Sequence, residues 1–263
     1  MEKEDKLELP EFGHYIDVNG LHMYYEDRGT GAPLILLHGG LGTAEFGWGE
    51  LRKVFSDHFR VVAPDSRGLG RTNNPQQVLN YALMAEDIIA LAKALDLENP
   101  FVCGWSDGGQ IALEIGIRFN NFPKALVLGG VAHKLIQQIS DALSSSSIQG
   151  WLQSEPELEE TLRNAHSHVY GSEYWETLLK LHSQMWLDPT GYPKEDIKSI
   201  EVPSLIIIGD KDEAIPLKIQ LEMYDLMPNA ELAIIPNMTH LNYVNERSEI
   251  FSTVVLDFLK RNI

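Results

Sequence analysis

The apolar run Phe101 to Gly104 leads straight into Gly104-Trp105-Ser106-Asp107-Gly108, and a helical pattern begins at about Asp107 and runs to about Phe119. A Gly-x-Ser-x-Gly turn between a strand and a helix is a severe constraint. It forces the serine into a strained backbone geometry, and the two glycines remove side chains that would clash with the neighbouring strand and helix. The hydroxyl of Ser106 is then expected to project above the sheet to which the strand belongs.

The surrounding periodicity supplies such a sheet. His14 to Val18 and Leu21 to Asp27 read as strands, and Gly29-Thr30-Gly31 turns the chain into the apolar run Leu34 to Leu37. Phe59 to Ala63 is the next strand. Tyr81 to Leu97 carries Met84, Ile88, Leu91 and Leu95 at helical spacing, and Asn99-Pro100 stops it before Phe101. Lys124 to Leu128, Ser204 to Ile208 and Glu231 to Ile235 are further strands, with helices over about Leu217 to Leu226 and Ser248 to Arg261. Strands alternating with helices build a mostly parallel sheet flanked by helices.

Between His133 and Ile200 the pattern changes to polar and aromatic helical stretches, with serines at Ser144 to Ser147 and acids around Glu155 to Glu160. The expected organisation is a core domain formed by residues 1–132 and 201–263, with residues 133–200 inserted as a helical cap. A length of 263 residues at 44% apolar content suits one such domain.

A serine hydroxyl needs a base in contact and an acid that holds the base in the useful tautomer. Gly209-Asp210-Lys211-Asp212 follows one predicted strand and Thr239-His240 follows the next, so Ser106, an aspartate and His240 fall at carboxyl ends of sheet strands, where open α/β sheets place their sites. Asp212 is the preferred acid because the third residue after the glycine reaches back over the sheet; Asp210 is the alternative, with an Asx turn as its structural role. His14, His22, His58, His133, His166, His168 and His182 are expected to face solvent or stabilise local structure. His166-x-His168 lacks the further ligands a metal site needs, so no metal is expected.

The developing oxyanion requires donors, one expected from the backbone N–H of Asp107 and a second from Gly40 or, failing that, Leu41 in the loop His38-Gly39-Gly40-Leu41-Gly42. That loop lacks the Gly-Lys-Ser/Thr ending of a phosphate cradle. The absence of Gly-x-Gly-x-x-Gly after the first parallel strand also argues against a dinucleotide-binding oxidoreductase.

On these residues the chain resembles the α/β-hydrolase superfamily over nearly its whole length, through His38-Gly39-Gly40, Asp65-Ser66-Arg67-Gly68-Leu69-Gly70, the turn at Ser106, Gly209 to Pro216, and His240. Within it, Gly104 to Gly109 together with Leu41-Gly42 and Phe46-Gly47 is similar to the valacyclovir hydrolase, or biphenyl hydrolase-like, branch. The resemblance implies that Asp107 grips the ammonium group of amino-acid esters. A carboxylate in a helix's first turn also has a purely local explanation, worth about 0.3–1 kcal/mol. Met238 stands where the superfamily's histidine loop usually carries glycine.

Trp105 is a further expected substrate contact. It is one of five tryptophans, with Trp48, Trp151, Trp175 and Trp186, that either line an apolar pocket or fill core. Cys103 is expected to be structural and Arg67 to pair with carboxylates. The expected reaction is cleavage of a small-molecule carboxylic ester through an acyl-serine, without a cofactor. The same groups serve a lactonase, an aminopeptidase or a carbon–carbon bond hydrolase, or a ligand receptor that keeps the fold without turnover.

A formal net charge of −17 argues against nucleic acid and anionic membrane partners. A single cysteine, no long apolar run and a start, Met1 to Lys6, without a leader pattern together suggest a cytoplasmic protein. Oligomeric state is not legible.

Overall fold

The computed structural model describes residues 9–188 and 191–263. Met1 to Lys6, read above for a leader, and residues 189–190 of the expected cap lie outside the described residues. Among the described residues eight strands form one sheet: β1 (Gly13–Val18), β2 (Leu21–Arg28), β3 (Pro33–Leu37), β4 (Arg60–Pro64), β5 (Phe101–Trp105), β6 (Ala125–Gly129), β7 (Ser204–Gly209) and β8 (Ala230–Ile235). Their spatial order is β1-β2-β4-β3-β5-β6-β7-β8. The pairs β1–β2 and β2–β4 are antiparallel and every other pair is parallel.

Burial follows position. The central strands β5, β6 and β7 are buried at every residue, as strands covered on both faces must be, whereas the edge strands β1 and β8 mix buried and exposed positions. Successive side chains along a strand serve opposite faces. Ile35, Leu37, Val102, Leu126 and Leu128 therefore join one core, with helices Tyr81–Ala94 and Asp107–Arg118. Leu34, Leu36, Phe101, Cys103 and Val127 join the other, against Phe55, Phe251 and Phe258.

Two short helices, Ala44–Trp48 and Leu51–Ser56, occupy the stretch between β3 and β4, where the sequence pattern marks no element. The first is capped by Thr43, whose side-chain oxygen accepts from Phe46 N. Between β6 and β7 lie six helices among the described residues, from Gln137–Ala142 to Lys194–Lys198. The serine run begins one of them, with Ser144 capping Ser145–Ser154, and Pro156 opens the next, where a missing N–H costs nothing. No helix among the described residues is long and apolar enough to cross a membrane.

Candidate active site

At the end of β5 the backbone turns through Ser106 with φ +54°, a left-handed conformation that a serine adopts only under constraint. The constraint is packing. A Cβ on Gly104 would lie 2.0 Å from Gly108 O, and one on Gly108 would lie 1.9 Å from Leu37 O. The helix is thus pressed against β3 and β5 as only glycine permits, and Ser106 N donates to Gly129 O at 2.8 Å to hold the turn.

Ser106 Oγ lies 2.9 Å from His240 Nε2, and His240 Nδ1 lies 2.8 Å from Asp212 Oδ2. The other oxygen of Asp212 accepts from Ala214 N and Ile215 N at 3.0 and 2.8 Å, so the carboxylate is fixed in two directions. Asp212 therefore puts a proton on Nδ1 and leaves Nε2 free to take one from Ser106. Asp210 does not reach the imidazole. Its carboxylate accepts from Asn237 N at 2.6 Å and braces the histidine loop. Burial alone disfavours charge on His240, but Asp212, then Glu213 and Asp107, outweigh it and raise its pKa above the ordinary histidine value.

The loop after β3 is held by a second buried histidine. His38 Nε2 accepts from Ser66 N at 2.9 Å, which leaves the proton on Nδ1 to donate to Gly39 O at 2.8 Å. Burial depresses the His38 pKa to about 4 and keeps the ring neutral. Gly42 N also donates to Gly39 O. In a trans peptide the N–H points opposite to the C=O, so fixing Gly39 O inward sends the Gly40 N–H outward, where Gly40 lines a cavity of about 810 Å³. Leu41 follows with φ +55°, a strain of about 1 kcal/mol or more for a residue with a side chain.

Ser106, Asp107 and His240 line the same cavity. Asp107 is buried, and its carboxylate accepts from Tyr81 OH at 2.8 Å and from Trp186 Nε1 at 2.9 Å to each oxygen. Burial raises its pKa, while Trp186 and Tyr81 pull it down. No lysine or arginine among the described residues pairs with it. Glu213 also lines the cavity, and its carboxylate accepts from His240 N at 3.2 Å.

Trp105 requires a correction. It faces away from the cavity, into the core beneath it, where the indole N–H donates to His240 O at 2.9 Å and the ring stacks on Tyr243 at 4.3 Å. Side-chain alternation along β5 gives the reason: Cys103 and Trp105 share the face opposite Val102. The tryptophans that do line the cavity are Trp151 and Trp186, both from the segment between β6 and β7; Trp48 and Trp175 are core.

Met238 resolves the departure in the histidine loop. The left-handed position falls on Asn237, φ +56°, while the Met238 side chain is buried and its carbonyl accepts from Lys211 N. Arg67 makes a bidentate pair with Asp87, both nitrogens at 2.8 Å, and burial pushes the Cys103 thiol up. No group of His, Cys, Asp and Glu among the described residues is arranged to hold a metal ion. Sequence reasoning gave Tyr81 and Glu213 no role at the site, since both are distant from Asp107 or His240 along the chain, and it offered Trp186 for a pocket or the core without linking it to Asp107; His38 was signalled only as the head of the glycine loop.

The alpha/beta hydrolase family model matches residues 34–253. The chain is 28% identical to the 2-hydroxy-6-oxo-2,4-heptadienoate hydrolase of Pseudomonas putida, over 95% of this chain and 96% of that protein. It is 25% identical to the serine hydrolase BPHL of Homo sapiens, over 93% of this chain and 85% of that protein. Among solved structures, a meta-cleavage product hydrolase from Pseudomonas fluorescens shares the fold with a TM-score of 0.81 at 24% identity, covering 96% of this chain and 99% of that one.

Proposed function

The chain belongs to the alpha/beta hydrolase family, and on that premise we propose that it hydrolyses carboxylic esters through an acyl-serine, with a preference for esters carrying an amine near the reacting carbonyl. The observation that carries this reading is the unbroken contact Ser106–His240–Asp212 opening onto a cavity. His240 Nε2 takes the Ser106 proton as Oγ bonds to the carbonyl carbon. The oxyanion rests on the N–H groups of Gly40 and Asp107. Collapse breaks the ester bond, His240 returns its proton to the departing alcohol, and a water deprotonated by His240 then cleaves the acyl-serine to release the acid. The described helices between β6 and β7 serve as the cap, closing the cavity with Ile139, Trp151 and Trp186.

The substrate preference rests on charge. Asp107, Glu114, Asp188 and Glu213 line the cavity, and among the described lining residues Lys134 is the one lysine or arginine. An ammonium group gives Asp107 the cation it lacks, as the resemblance to BPHL suggests. The Pseudomonas putida relative acts by name on a dienoate and favours a second reading, hydrolysis of a carbon–carbon bond by the same groups. Acids around the cavity oppose an anionic substrate of that kind.

The test is hydrolysis of a valyl ester, its analogue without the amine, and a 2-hydroxy-6-oxo-dienoate by the native chain, Ser106→Ala and Asp107→Ala. The reading requires native turnover of the esters, lost by about 10³-fold or more in Ser106→Ala. Asp107→Ala should slow the valyl ester more than its analogue. Equal slowing removes the ammonium preference, and turnover of the dienoate alone establishes the second reading.

A further inference from the structure

His166 lies between helices Pro156–Ala165 and Ser167–Tyr170, far along the chain from the loop that carries Gly40, yet its side chain is buried against that loop. Gly70 N approaches His166 Nδ1 at 2.8 Å. A backbone N–H can only donate, so Nδ1 is the acceptor and the ring proton sits on Nε2, which donates to Leu41 O at 2.9 Å. Trp175 stacks on the ring at an interplanar angle of 9°, fixing its plane. Burial lowers the pKa of His166 to about 3, so this neutral tautomer persists across the working pH range.

The loop is therefore pinned at two alternate carbonyls by two buried histidines, Gly39 O by His38 at the head of the loop itself and Leu41 O by His166 from the segment between β6 and β7. The second pin falls on the one residue of the loop that holds a left-handed φ with a side chain present. Such a residue stays in place only when its surroundings over-determine it. We infer that His166 is a positioning residue: by holding the Leu41 carbonyl it anchors the Leu41–Gly42 peptide and the left-handed turn at Leu41, so that Gly40, whose N–H meets the oxyanion, is held between that peptide and the anchored Gly39–Gly40 peptide. This rests on the acyl-serine reading above. Its consequence is that the inserted helices complete the oxyanion site as well as enclosing the cavity.

His166→Phe keeps the ring and its stacking on Trp175 but removes both nitrogens, and His166→Gln keeps one acceptor and one donor. On an ester turned over by the native chain, His166→Phe should lower kcat about 10-fold with KM changed less than about twofold. Affinity for a boronic acid, which adds to the serine as a tetrahedral anion, should fall by the same factor as kcat. His166→Gln should recover most of both. A folded His166→Phe with native kcat, or with kcat and KM impaired while boronic acid affinity holds, overturns the inference and leaves the serine mechanism standing. Loss of turnover in the native chain's own assay would instead remove the reading on which it rests. A measurement on the unaltered chain covers the case in which His166→Phe does not fold: with nitrogen-labelled histidine, the His166 Nε2–H resonance should shift when the boronic acid binds, and an unmoved resonance overturns the proposal.

Discussion

Three carboxylates surround His240, with Asp212 in contact and Glu213 and Asp107 close enough to act through space. Their pull exceeds the penalty of burial, so the imidazole holds its proton to a higher pH than an ordinary histidine. Because the base must be neutral to act, kcat/KM should rise with pH through a value above the usual histidine range. Glu213→Gln should move that limb to lower pH, and a pH–rate profile in which the two proteins coincide would show that Glu213 has no such influence. Asp107 gives a prediction of opposite character. Its folded-state pKa is raised by burial, so the cost of its charge is absent below the unfolded value, grows as pH rises through the interval between the two, and is complete above the folded value. Asp107→Asn should therefore melt at a higher temperature than the native chain at neutral pH, with the gain disappearing in acid; equal melting temperatures at neutral pH would contradict it. The sequence marks Ser106, Asp212 and His240 because each sits in a short local pattern at a strand end. It does not mark Tyr81, and it offers Trp186 only as one of five tryptophans for a pocket or the core, because the approach of both to Asp107 depends on how distant helices pack.

At the scale of elements, the turn from β5 into the helix Asp107–Arg118 is fixed by close approach of backbones. Gly108→Ala would set a methyl group against the Leu37 carbonyl, a clash with backbone that no side-chain rotation relieves. The expected loss is about 2–4 kcal/mol of stability together with most of the activity, read by denaturant unfolding and ester turnover. A variant as stable and active as the native chain would mean that the turn tolerates a Cβ. Strands and helices of the core were legible because burial on two faces leaves apolar runs such as Leu205 to Ile208, and burial on one stripe leaves helical spacing such as Met84, Ile88 and Leu91. Trp105 was misplaced because an apolar strand buried on both faces does not say which of its faces looks toward a cavity.

For the molecule as a whole, a formal charge of −17 and a cavity whose described lining holds more carboxylates than lysines or arginines create a negative field, which under the proposed preference for amino-acid esters would draw in the cationic substrate. Raising salt from about 0.05 to 0.5 M shortens the range of that field several-fold. The kcat/KM of an amino-acid ester should fall over this range while that of its uncharged analogue stays nearly level. Parallel salt dependence for the two esters would assign no steering to the charge. The spatial order of the strands and the docking of His166, between β6 and β7, on the glycine loop were not legible, since both are set by contacts between segments far apart in the chain, as between His166 and Leu41.

Acylation of Ser106 is the step on which the proposed chemistry depends. Mixing the chain with p-nitrophenyl acetate and following both nitrophenolate release and the intact protein mass tests it in one experiment. An acyl-serine intermediate should give a burst of nitrophenolate and a chain heavier by one acetyl group, both absent from Ser106→Ala. Turnover or acetylation that persists at the native level in Ser106→Ala would contradict it.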